Sequence, residues 1–305
     1  MAYKLCGMVL QRWIGVVTIA VFTLTGCRGE RKTQPLDTTA LHVTDTVTAE
    51  QSDTVSTWNS AAGPFLAIET DTGSTAVNIV GGSDSNVVNP VPLPFDLFGR
   101  SGLMGTSTLA PGIAAEVDSD CVEWPVGHLK MSRGGWGVGL ESGLAVPIPL
   151  DSLEAMRSTD SSQFVTEVVR IASGLRVTQD PTFSSIPFVV QRAYRFRTES
   201  IEGISALVQR SIPTEADPRA DYTMFVAERP IGSTEPYNIA YQKRSAGRED
   251  ETVVVSVLAA VRLVKTHHAM LIVRYELAEG AMIGLIERMR PGVWRATWTS
   301  DYSGC

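Results

Sequence analysis

The chain is poor in the residues on which metal and nucleophilic chemistry usually rest. It holds four histidines and four cysteines in 305 residues. No H-E-x-x-H pair occurs, nor any glycine-rich phosphate loop closed by a lysine. Gly99-Arg100-Ser101-Gly102 brings its second glycine one residue too early for a G-x-S-x-G nucleophile elbow. Gly134-Gly135-Trp136-Gly137-Val138-Gly139 has glycines at dinucleotide-like spacing, but no strand-then-helix pattern surrounds it. Basic charge is also in deficit, with 26 Lys and Arg against 33 Asp and Glu. That balance argues against nucleic acid and against electrostatic docking on anionic lipid. Beyond the first 26 residues no apolar run reaches membrane-spanning length. The strongest, Val253–Val264, is short and is broken by Arg262. No cofactor is expected, and two spare thiols without a spaced histidine pair cannot fill a metal's tetrahedral shell.

The beginning of the chain has the parts of an export signal. Lys4 and Arg12 give a positive start free of acidic residues, and Trp13–Thr23 is an apolar run too short to span a bilayer. It ends in Leu24-Thr25-Gly26-Cys27. This tetrapeptide resembles the lipobox of bacterial lipoproteins. The resemblance implies cleavage before Cys27, acylation of that cysteine, and anchorage in the cell envelope. Two or more chains hold stably where one does not. Arg28 stands where an aspartate would favour inner-membrane retention in that family, which points to the outer membrane where there are two. Loss of residues 1–26 removes Lys4 and Arg12 and moves the formal charge from −7 to −9.

Cys6 leaves with the signal, and Cys27 is the lipidation site. The remaining pair, Cys121 and Cys305, is expected to form a disulfide in an oxidising compartment.

Residues 27–62 are rich in Thr, Asp, Ser, Gln and Glu and read as a flexible tether with a reach of about 30 Å. Within it, Leu41–Thr48 alternates like a strand. Residues 63–150 read as a Gly- and Pro-rich β region. Asn89–Gly99 is too rich in proline for a central strand. Residues 151–305 read as a helix followed by an antiparallel β-meander, packed with 63–150 as one body. A short helix is expected over Asp151–Arg157 and a better one over Ser161–Ser173, capped by Asp160 and ended by Gly174. In the last strand Trp294, Ala296 and Trp298 alternate onto one face. The fold class is α+β, predominantly antiparallel sheet with one or two short helices.

Asp71-Thr72-Gly73-Ser74-Thr75 resembles the active-site loop of aspartic proteases, in which two carboxylates share a proton. That would make Asp71 catalytic. No second such motif occurs in the chain, Glu69 and Thr70 replace the apolar lead-in, and Asp, Gly and Ser are also ordinary hairpin-turn residues. Among the histidines, His42 lies in the tether, His267 and His268 in a turn, and His128 reads as the buried one.

Charges on the late strands alternate, which suggests one wet sheet face laced with ion pairs. Arg192, Arg195 and Arg274 on such a face would suit a small acidic ligand. The sequence thus points to a membrane-anchored binding or envelope-structural module. An Asp71 peptidase and an accessory subunit holding an envelope protein partner are the alternatives. The anchor has a direct check. Cys27→Ser is expected to abolish labelling by a fatty-acid probe and to move the protein out of the membrane fraction. Unchanged labelling would remove the lipid anchor from the account.

Overall fold

A computed structural model describes residues 66–70, 75–81, 92–111, 121–131, 134–175, 181–214 and 217–305. All of them belong to one unit, Thr48–Cys305. Among the described residues antiparallel sheet dominates and there is a single α-helix, in agreement with the expected fold class. Cys27, the tether and Asp71 lie outside the described residues.

The first six strands are β1 (Leu66–Glu69), β2 (Ala76–Val80), β3 (Leu93–Gly99), β4 (Gly102–Leu109), β5 (Val126–His128) and β6 (Val138–Glu141). They pair in the order β4-β3-β6-β1-β2-β5. The two ends of this sheet then meet. The Ala110 N–H donates to the His128 carbonyl at 2.8 Å and the Lys130 N–H to the Thr108 carbonyl at 2.9 Å, around a Leu109–Leu129 bridge. The sheet is therefore a closed six-stranded barrel, which leaves no free edge. Its interior is filled by Ala67, Val77, Ile79, Phe95, Leu97 and their neighbours. Alternation sends Leu66, Ile68, Val138 and Leu140 outward. Gly139 is required inside, because a Cβ there would come within 3.0 Å of Phe95 and 3.1 Å of Leu97.

Proline density does not keep the 89–99 stretch out of the sheet. β3 lies between β4 and β6 and carries Pro94. Pairing with β6 begins only at Phe95, opposite Glu141, so Pro94 sits beyond the end of that ladder and its missing N–H costs nothing there. Its carbonyl still accepts from the Ser142 N–H at 2.9 Å.

The chain leaves the barrel at Glu141 and makes a corner. β7 (Ala145–Pro147) pairs with one later sheet, and β8 (Leu150–Ser152) pairs with another. The turn between them falls at Ile148-Pro149, where the Ile148 N–H still donates to Ala260. A single segment that switches sheets makes a sandwich corner. The helix α1 (Ser158–Ala172) follows. The outer sheet comprises β8, β9 (Val189–Arg197), β10 (Ile201–Ile212), β11 (Arg219–Pro230) and β12 (Asn238–Arg248). The middle sheet comprises β7, β13 (Val254–Leu263), β14 (Ala269–Leu277), β15 (Gly280–Arg290) and β16 (Val293–Thr299), with β17 (Ser303–Gly304) beside β15.

The middle sheet is covered on both sides. Val257, Leu271, Val273 and Ile286 meet the outer sheet, while Val261, Met270, Ile272 and Leu285 meet the barrel. Continuous apolar runs such as Ala269–Val273 have this cause. The expected wet face on these strands is therefore absent. The outer sheet has a second cover too, since Phe164, Val168 and Ile171 of α1 pack on Ile204, Val208 and Phe225.

Two local expectations need correction. Trp294 and Trp298 do not share a face. Trp294 lies in the core against the outer sheet, and Trp298 packs on the barrel side. A register shift between Leu285 and Ile286 takes up one extra residue of β16 and reverses the alternation. The helix starts three residues early, at Ser158, with Arg157 as its N-cap and no side-chain cap. Asp160 sits in the first turn, where the helix dipole favours a carboxylate without its acting as cap. No α-helix forms over 151–157, because Asp151 pairs with Arg195 as strand and only a 3-10 turn, Leu153–Ala155, follows.

Cys121 and Cys305 are disulfide-bonded across 184 residues of chain. The bond fastens a strap. The Val122 and Gly304 backbones exchange hydrogen bonds, the Trp124 indole donates to the Asp301 carbonyl at 3.1 Å, and the Cys305 N–H donates to Glu279. The tail thus ties the segment leading into the barrel to the middle sheet. Closing so long a loop stabilises by up to about 5 kcal/mol on chain-entropy reasoning. Cys121→Ser/Cys305→Ser is expected to lower the unfolding free energy by several kcal/mol in denaturant titration without reductant. Unchanged stability would show that the strap holds without the bond.

Candidate functional site

Where the barrel wall meets the corner segment, a groove of about 860 Å³ opens. Its volume falls within the roughly 300–1,000 Å³ of small-molecule sites. One wall is the β3–β4 turn, Gly99-Arg100-Ser101, together with Gly135-Trp136-Gly137. The other is Pro149–Ser152 with Ala155, Met156 and Asp160 at the start of α1, and Arg195 from β9. Gly135 adopts φ +96° and has open space where a Cβ would lie, so it gives a bare backbone surface toward the groove.

Arg100 is held by its surroundings. Its carbonyl accepts the Leu150 N–H at 2.7 Å, which clamps the turn to β8. Its Nε donates to the Val257 carbonyl at 3.1 Å, and the guanidinium lies over the Tyr194 ring at 5.5 Å. No carboxylate pairs with it among the described residues. Burial raises the Tyr194 hydroxyl pKa, an effect that Arg100 partly offsets.

Arg195 differs. Its guanidinium stacks on Phe164 at 4.2 Å and pairs with Glu167 of α1 at 3.2 Å, so its charge is matched. Directly opposite on β8 stands Asp151. Asp151 and Asp160 are exposed and make no ion pair among the described residues; Asp160 only accepts a 3.5 Å bond from Thr159.

The sequence-derived candidates do not converge. Arg192 lies opposite Leu207, in the core between the two sheets, and Arg195 opposite Ile204, in the core under the helix. The two arginines therefore occupy opposite faces of the outer sheet. Arg192 reaches Glu276 at 3.9 Å, and the Nε of Arg274 is buried without a partner. The hairpin around Asp71 has its arms in place as β1 and β2. Glu69, at its root, accepts the Gly135 N–H, and burial raises its carboxyl pKa against that bond. His128 is exposed on β5 rather than buried. His268 leaves its turn to reach the fully buried Glu287 at 2.7 Å. No group of three or more metal-ligating side chains gathers among the described residues.

Arg100, Asp151 and Asp160 did not stand out in the sequence. The one signal was the Gly-Arg-Ser-Gly turn, whose glycines bend β3 into β4 and set the arginine at the rim. Comparison with protein-family models, curated proteins and solved structures finds no match for this chain.

The perturbed charges elsewhere hold the fold. Glu228, on β11, accepts from Arg288 Nε at 2.8 Å, the Gly292 N–H at 2.6 Å and the Trp294 indole at 2.7 Å. Burial alone would raise its carboxyl pKa, but those donors hold it below the ordinary 4.5. Asp221 is fully buried between Arg210 and Arg244. Because the Glu228 value is lowered by folding, its contribution is present above the ordinary carboxylate range and is lost as pH falls through the folded-state value. Glu228→Gln is expected to cost about 3 kcal/mol at pH 7 and to flatten the loss of stability below pH 4.5. Denaturant titrations across pH 3–7 check both effects.

Proposed function

We propose that the protein is a lipid-tethered binding module of the bacterial envelope, whose ligand site is the groove between the barrel and the corner segment. The observation that carries the reading is Arg100. Arg100 lines a sizeable groove, its guanidinium bonds a backbone carbonyl and lies over a tyrosine ring, and it has no acidic partner among the described residues. Fixed, unneutralised charge at a groove rim suits recognition, since the ligand supplies the missing counter-charge and little side-chain entropy is lost. A lipid on Cys27, with residues 27–62 as the spacer that their composition suggests, would keep the groove near a membrane. The Cys121–Cys305 bond is in keeping with an oxidising compartment.

A groove-filling variant tests the site. Ala155 is exposed and lines the groove, so Ala155→Trp blocks it without touching either core. Low-molecular-weight envelope extract is expected to raise the melting temperature of the wild type by about 5 °C or more at saturating ligand. The variant should gain little. Equal response of the two proteins, or none from the wild type, overturns the groove as the site.

A further inference from the structure

Resting on that reading, we propose that the groove takes a short linear peptide with free amino and carboxyl termini. The two walls of the groove carry opposite charge. Tyr194 faces the core between the outer and middle sheets, so Arg100, lying over its ring, stands on that side of edge strand β8. Asp151 stands on the other side of the same strand. It is opposite Arg195, whose neighbours are Phe164 and Glu167 of the helix. Asp160, in the first turn of α1, lines the same wall as Asp151. Arg100 therefore lines one wall of the groove, and the two aspartates line the other.

At the helix end Arg195 is matched by Glu167, which leaves the two exposed aspartates in surplus. A purely acidic ligand would meet Asp151 and Asp160 unfavourably, and a purely basic one would meet Arg100. A zwitterion lying across the groove matches both, with its carboxylate on the guanidinium and its ammonium on the carboxylates. Between the poles lie Leu258, Pro149, Met156 and the bare backbone at Gly135, which suit small side chains and peptide groups rather than a planar ring system. Peptides of this kind arise from protein turnover or from cell-wall peptides ending in D-residues. Both share the terminal charges.

Titration calorimetry on the full-length lipidated chain in detergent micelles tests the proposal. The probes are tetra-L-alanine, L-Ala-L-Ala-D-Ala-D-Ala, and the N-acetylated and C-amidated forms of each. Both blocked forms are expected to bind at least tenfold more weakly than the free peptide. Preference for one of the two free peptides assigns the source. In Arg100→Gln the penalty for amidation should vanish while that for acetylation stays, and Arg100→Lys should restore part of it. Asp151→Asn/Asp160→Asn should do the reverse. All three positions are exposed, and melting temperatures report whether each variant folds. Blocked peptides binding as well as free ones would overturn the proposal. So would failure of both free peptides while envelope extract still protects the wild type, an outcome that leaves the groove as the binding site. If extract and peptides both fail, the binding reading itself falls.

Discussion

The constraint from which the rest follows is that the middle sheet is apolar on both faces. β13, β14 and β15 present Val257, Leu271, Val273 and Ile286 to one side and Val261, Met270, Ile272 and Leu285 to the other. A sheet of that kind cannot stand against water on either face. The barrel covers one side and the outer sheet the other. The outer sheet then has a second face of its own, which α1 closes. Layer order is thus set by which surfaces remain uncovered after each addition.

Covering a sheet twice leaves a joint. The joint is the segment from β7 to β8, which finishes the edge of the middle sheet and begins the edge of the outer one. The barrel meets this corner through the β3–β4 turn, and the space left between turn, corner and helix start is the groove. The proposed site therefore arises where three packed bodies fail to fill space completely. Its polar groups are those that each body places at its rim. This is also why its charges come from distant parts of the chain, Arg100 from the barrel and Asp151, Asp160 and Arg195 from beyond the corner.

Burial on both faces also changes what charged residues on these strands do. Glu228, Asp221 and Glu287 all lie on strands that read as half-wet by alternation, yet each is nearly or wholly buried. Buried carboxylates need donors, and Glu228 and Asp221 have several, supplied mainly by arginine. The strand arginines are mostly structural for this reason, and Arg192 and Arg195 stand back to back rather than side by side.

Much was legible from the residues alone. The antiparallel class, the order of the late strands and the presence of the main helix follow from local periodicity and turn chemistry, which act over a few residues. The Cys121–Cys305 pair followed from setting aside Cys6 and Cys27 and pairing the two cysteines that remain. Three things required the tertiary structure. Closure of the barrel depends on the ends of β4 and β5 meeting, which no local pattern encodes. The bulge that separates Trp294 from Trp298 depends on how β16 fits against β15. The groove depends on three surfaces approaching one another, and a side chain's place at such a junction is fixed by packing between elements rather than by its sequence neighbours.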